Sequence, residues 1–324
     1  MSEDNKRCKM DQLTKLEKKW ILYDVGNSAF VLLGTTIIPI YYKNIAEASG
    51  ITAADSTAYF SYATSIVTII VAILGPVLGT LADTKGFKKP MFTFFVMMGV
   101  IGCAGLAVPK TWLAFLVVYV LAKVGLNASF VFYDAMLGDV TTDERMDVVS
   151  AQGYAWGYIG SCIPFIFSLV FVLFSDTIGI SGDVAMTIAF LVNGAWWLLV
   201  TLPLLKSYEQ KHYVERSPHP VRDSFGRLAG IFSEIRRKPA VWYFLLAFFF
   251  YIDGVYTIIE MATAYGSAIG LDTQGLLLAL LVTQIVAFPC ALLFGRAAKR
   301  YKNTFLIKVC IAAYFCIALF AVQL

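Results

Sequence analysis

"GTLADTKGFKK", residues 79–89, puts two glycines, one aspartate and three lysines into eleven residues between two long apolar stretches. A plain hairpin between apolar helices accounts for most of it. Gly86 supplies a residue free to take positive φ, Lys88 and Lys89 are expected at headgroup level, and Pro90 suits the first turn of the next helix. Asp83 is the surplus. It falls in the last turn of the preceding helix, where the helix dipole is negative, so an isolated carboxylate is disfavoured there. The position predicts a partner for Asp83, either a basic side chain or the N-terminus of another helix. A degraded copy of the turn, "GRAAKRYKN", occupies residues 295–303.

The segments flanking the turn set the class. The chain of 324 residues is 59% hydrophobic and 15% charged, with a mean hydropathy of +0.71. A soluble domain carries about 25% charge. Apolar runs long enough to cross about 30 Å of hydrocarbon recur along the chain. They predict nine spans, near 20–42, 58–82, 90–109, 112–137, 150–175, 184–205, 240–265, 274–296 and 304–324. The expected fold is an all-α polytopic membrane protein. No apolar core with a cleavage site precedes the first span, which is read as directing insertion itself.

Basic residues orient the spans. The N-terminus and the second, fourth, sixth and eighth connections hold 22 of the 26 Lys and Arg; the opposite side holds Lys43 and Lys110, and Lys123 and Lys308 fall inside spans. Positive charge stays inside, so the N-terminus, the 79–89 turn and residues 206–239 are expected to be cytoplasmic, in a multi-pass protein of the cell membrane. The net charge of +4 then reports orientation and gives no reason to expect nucleic acid. Residues 206–239 hold eight basic residues and three prolines. Within them Phe225, Leu228, Phe232 and Ile235 recur at helical spacing after Ser224, which predicts an amphipathic helix lying on the membrane face. The six cysteines share no metal-ligand spacing, and no HExxH, GxSxG or Walker motif occurs. The chain is read as not an enzyme, with no cofactor and no metal.

The spacing Gly79, Asp83, Gly86, Lys88, Lys89 resembles the signature turn between the second and third helices of the major facilitator superfamily. Gly295, Arg296 and Arg300 end the eighth span, where an internal duplication places a second copy. "WILYDVGNSAF" (20–30), "FYDAMLGDV" (132–140), "SAQGYAWGYIGS" (150–161), "FFYIDGVYTIIE" (249–260) and "QIVAFPCALLFGR" (284–296) together look like the branch related to the vacuolar amino-acid effluxers of autophagy. The resemblance implies a major-facilitator-type helical bundle of two six-helix halves, twelve spans in all. On that reading residues 1–205 form the N-terminal six-helix bundle and 206–239 a cytoplasmic linker. Residues 240–324 are then the first three helices of a C-terminal bundle that is read as truncated.

Ionisable residues inside the spans are costly and mark pathways or pairs. The candidates among them are Asp24, Lys123, Asp134, Asp253 and Glu260. Lys123 lies about eleven residues into its span, too deep to snorkel. Asp253, beside Gly254 and a local helix break that glycine permits, is the leading candidate for substrate or proton contact, with Lys123 as its partner when the halves approach; a fixed Lys123–carboxylate pair that holds helices together is the competing account. Asp24 and Asp134 lie nearer a span end, where headgroup water is the competing account. The function expected is secondary active transport of a small metabolite, an amino acid in the implied case and outward in direction. Alternating access drives it and protons couple it, and the chain acts as a monomer in the bilayer. The competing reading is a non-transporting scaffold or sensor of the same fold.

Overall fold

The computed structural model describes residues 13–215, 226, 230, 233–298 and 300–321. The chain folds into helices, and among the described residues the one β-type contact is an isolated parallel bridge between Thr84 and Val214. The helices are α1 (Lys15–Thr35), α2 (Ile37–Ala48), α3 (Ala53–Asp83), α4 (Lys88–Gly105), α5 (Trp112–Val140) and α6 (Met146–Leu173). They are followed by the single turn α7 (Ser175–Ile178), then α8 (Gly182–Ser207), α9 (Pro239–Ala268), α10 (Thr273–Ala298) and α11 (Asn303–Ala321). Seven helical stretches among the described residues are long and apolar enough to cross a membrane. The third and ninth expected spans are the shorter helices α4 and α11. Of the predicted amphipathic helix, Phe225, Leu228 and Phe232 lie outside the described residues, while residues 233–236, which include Ile235, are helical.

Local chemistry explains the boundaries. Thr14 caps α1 in a reciprocal capping box with Glu17, and Thr52, Thr111 and Ser181 cap α3, α5 and α8 through their hydroxyls, each satisfying an orphan N–H of a first turn. The first span is two helices, not one. Thr36 departs from helical geometry at φ −118°, ψ −79°, and the hydroxyls of Thr35 and Thr36 bond back to Val31 and Leu32 carbonyls. Pro39 then removes an N–H from the first turn of α2.

The first six spans pack around buried aromatic residues. Trp20 stacks on Tyr133 at 4.2 Å, and Phe30 on Trp197 at 5.7 Å. Small residues set how closely the helices approach. A Cβ on Gly99 would collide with the Trp197 ring, and one on Gly125 would lie 2.5 Å from the Gly99 nitrogen. Gly153, Gly157 and Gly160 bring α6 against Asp24, Ser28 and Val25 of α1 in the same way, the small-residue contact by which membrane helices associate without a hydrophobic drive. In the second part of the chain α10 packs along α6, where a Cβ on Gly295 would lie 2.8 Å from Ala151. Helix α9 meets α1, α2 and α3.

The end of the bundle at which α1 starts is called the near end. It carries the 84–87 turn, the 141–145 connection and residues 208–215, and the opposite end is the far end.

Candidate functional site

Helix α9 is exposed over most of its surface and buries Thr263 and Ala264, to 1% and 8% exposure. Five of its charged and polar residues, Asp253, Tyr256, Glu260, Thr263 and Ser267, recur every three or four residues and share one stripe. Towards the far end that stripe lies on the first six spans. Lys43 Nζ of α2 donates to the Ser267 carbonyl at 3.2 Å, and Ser61 Oγ of α3 lies 3.8 Å from Met261 Sδ.

At mid-depth the stripe meets Lys123. The lysine is 3% exposed, and its Nζ donates to Glu260 Oε1 at 2.8 Å and Oε2 at 3.1 Å. Gly34 of α1 faces the ammonium, 3.9 Å from where a Cβ would stand. The sequence-based pairing of Lys123 with Asp253 is therefore corrected: its partner is Glu260, and Asp253 is exposed. Seven residues are almost two whole turns, so both carboxylates sit on one stripe but about 10 Å apart along the axis. Only the far one is level with Lys123. The expected break at Gly254 is also absent, since α9 runs unbroken from Pro239 to Ala268.

Asp24 and Asp134 lie towards the near end. Asp24 is 8% exposed; its Oδ1 accepts from Asn27 Nδ2 at 3.3 Å, and its Oδ2 lies against Gly153. Asp134 is exposed and close enough to Asp24 for the two charges to interact. Neither forms an ion pair among the described residues. Burial rather than headgroup exposure is thus the state of Asp24.

The 79–89 turn has the expected backbone but not the expected anchoring. Gly86 takes φ +76°, and Gly79 has open space around it. Lys88 is not at headgroup level: it is 3% exposed, salt-bridged to Asp139 Oδ2 at 2.9 Å and bonded to the Ala135 carbonyl at 3.0 Å. Lys89 donates to the Tyr208 carbonyl at 3.3 Å. Asp83 is exposed, and its carboxylate enters none of the ion pairs among the described residues. What Asp83 contributes is its backbone carbonyl, which accepts from Val214 N at 2.7 Å. In the second copy Gly295 packs on α6 as described, and neither Arg296 nor Arg300 enters those ion pairs.

The residue missed from sequence is Asp139. It is 1% exposed and gathers Lys88 Nζ, the Tyr208 hydroxyl, the backbone N–H groups of Lys211 and His212 at 3.1 and 2.8 Å, and His212 Nδ1 at 2.9 Å. The dipole argument applied to Asp83 holds equally for Asp139 in the last turn of α5, and would have flagged it. Around this hub residues 208–215 form a strap across the turn. Gln210 Oε1 accepts from Gly86 N at 2.9 Å, and its Nε2 donates to the Ala82 carbonyl at 3.2 Å. Lys85 pairs with Glu215 at 2.8 Å, and the hydrogen bond it donates to that carboxylate raises the lysine pKa. A second missed pair, Arg145–Glu17 at 2.8 Å, ties the start of α1 to the α5–α6 connection.

Comparison with known proteins places this arrangement. The family model described as "Vacuole effluxer Atg22 like" matches residues 14–323. This chain belongs to that family. It is 45% identical over 317 residues to the "Uncharacterized MFS-type transporter YxiO" of Bacillus subtilis (strain 168), an alignment covering 96% of this chain and 74% of that protein. Similarity to "Autophagy-related protein 22" of Cryptococcus neoformans var. neoformans serotype D (strain B-3501A) is 24% over 163 residues, covering 48% of this chain and 29% of that protein. The all-helical, major-facilitator-type membrane fold expected from sequence is the fold of this member of the Atg22-like family.

Proposed function

We propose that this chain is a secondary transporter that moves a small metabolite across a membrane by alternating access. The observation that carries the reading is the Lys123–Glu260 pair. Two charges that are costly to bury are spent on one contact between the first six spans and α9, at the level where the polar stripe of α9 passes from exposed to buried. A scaffold has no need of ions there. A transporter does, because such a contact can be made in one state and released in another. The names of the relatives, an MFS-type transporter and a vacuole-effluxer family, support the same reading.

In this proposal an amino acid is the first substrate to try, efflux the direction, and protons the coupling ion. Asp24, Asp134 and Asp253 are the further carboxylates of the pathway, and the 79–89 turn with Gly295, Arg296 and Arg300 forms the conformational gate. The near end is cytoplasmic in this reading, which the distribution of basic residues supports, and the membrane is the cell membrane. The test is counterflow in proteoliposomes holding the purified chain, with a mixture of radiolabelled amino acids and with or without an imposed pH gradient. The expected result is protein-dependent exchange that accumulates label when the gradient is present. No exchange of any tested metabolite class, by protein shown to be folded, would sink the proposal.

A further inference from the structure

Between the Lys123–Glu260 pair and the far face, three hydroxyls have no hydrogen-bond partner among the described residues: Tyr119 Oη, Thr263 Oγ1 and Tyr42 Oη. Their residues are 0%, 1% and 1% exposed. Thr64 approaches the Tyr119 hydroxyl without reaching hydrogen-bond geometry. Buried hydroxyls left unpaired are rare in native proteins, and ordered water is the usual answer to them.

The three hydroxyls stand in a file. Tyr119 is one turn of α5 from Lys123 towards the far end, close enough to Lys123 and Glu260 to interact with both charges. Thr263 is one turn beyond Glu260 on α9, and Ser267 is one turn beyond Thr263. Ala264 and Ser267 then line, with Tyr42 and Ser56, a cavity of 10 Å³ at the far end, about the space one water needs. Hydroxyls thus recur from the ion pair to the mouth, with the Phe60 ring packed against the rings of both Tyr42 and Tyr119.

We propose that this seam holds a file of ordered waters, from the far-end cavity past Tyr42, Thr263 and Tyr119 to Lys123–Glu260, and that the file carries protons between the far side and the pair. The second clause rests on the transport reading; the first does not. Each hydroxyl both donates and accepts, so a proton can pass by exchange: one O–H bond forms on the next oxygen as another breaks behind it. The proton ends on the Glu260 carboxylate, which becomes neutral and no longer attracts Lys123. The other ionisable groups facing the file are Tyr256, which interacts with the pair, Tyr59, which interacts with Tyr42, and Lys43 at the mouth. The Lys43 ammonium is engaged by the Ser267 carbonyl and lies 3.9 Å from Glu47, so its charge is partly answered outside the file.

The test uses the full chain in lipid nanodiscs and hydroxyl radicals generated from its own waters by a short X-ray pulse. Tyr23 is the internal control, being 0% exposed but bonded to Ser129. Tyr42 and Tyr119 are expected to be modified about fivefold faster than Tyr23, because bound water is the radical source beside them. The near-isosteric Thr263→Val is expected to slow modification of Tyr119. Modification of Tyr42 and Tyr119 at the Tyr23 rate would show a dry seam and overturn the proposal. In proteoliposomes the same variant is expected to lose pH-gradient-driven accumulation of labelled amino acid while retaining exchange at equal pH. Retained accumulation with fast Tyr119 labelling would overturn proton carriage and leave the water file standing. Absence of transport in the parent protein would count against the transport reading, with the labelling still deciding the file.

Discussion

Glu260→Gln keeps the size of the side chain and removes its charge, leaving the Lys123 ammonium buried without a counter-ion. Lys123 is 4% exposed at its side chain and Glu260 15%. Removing one partner of a buried pair costs about 3–5 kcal/mol. The part-exposed Glu260 argues for the lower end. Because the partners lie on α5 and α9, the cost falls on the docked state: when α9 moves away, Lys123 gains water and the cost is relieved. A loss of about 3 kcal/mol is therefore a drop of about a hundredfold in the docked-to-parted ratio, at 1.4 kcal/mol for each factor of ten. The assay is disulfide formation between Ser61→Cys and Met261→Cys, whose native side chains lie 3.8 Å apart, in a background without the native cysteines. Cross-linking follows the docked fraction, so Glu260→Gln is expected to slow it by up to that factor. Replacing both partners with apolar residues, Lys123→Met with Glu260→Leu, is expected to restore it, since no charge is then left buried. Cross-linking of Glu260→Gln at the parental rate would refute the argument, because the pair would then not hold the seam.

Other substitutions test the near end. Asp139→Asn leaves Lys88 buried without its counter-charge and is expected to cost about 3 kcal/mol in thermal stability and to speed proteolysis within 208–215, whereas exposed Asp83→Asn is expected to stay within about 0.5 kcal/mol of the parent and act on transport rate alone; equal losses of stability would show that Asp139 is not the hub. Gly86→Ala places a Cβ at φ +76° and is expected to lower stability by about 1–2 kcal/mol, so an unchanged melting temperature would show that the turn relaxes. For orientation, an impermeant thiol reagent added outside cells is expected to label Lys110→Cys, an exposed site, and not His212→Cys, whose side chain is 77% exposed. Labelling of His212→Cys would invert the topology.

Much of the scaffold was legible in apolar runs, because a span must be apolar over its whole length and its ends must be polar or capped. All nine expected spans have a helix in their place, and Gly86 takes the positive φ its turn required. Pairing across the seam was not legible. Asp253 and Glu260 share one stripe of α9, and only the axial offset between α5 and α9, a tertiary quantity, decides which one Lys123 reaches. The two terminal aspartates show the same limit. Asp83 and Asp139 stand in equivalent last turns with the same dipole penalty, but the fold carries Lys88 and the 208–215 strap to Asp139. Lysine at a span end usually snorkels, so by sequence alone Lys88 reads as a headgroup anchor. Here α5 offers it a carboxylate inside the protein instead. The break at Thr36 left no sign in hydropathy, since both sides of it are apolar.

The strap has a bearing on how the chain tolerates change in length. Backbone bonds hold Val214 to Asp83 and Lys85, and α9 starts anew at Pro239, so the stretch in between is moored at its upstream side before it begins. A residue added inside the strap would shift every bond that follows it out of register. Placed between Ser207 and Gln210, it would pull the Tyr208 hydroxyl off Asp139 and the Gln210 amide off the turn. The eight residues 208–215 thus fix the length of chain that can cross the turn.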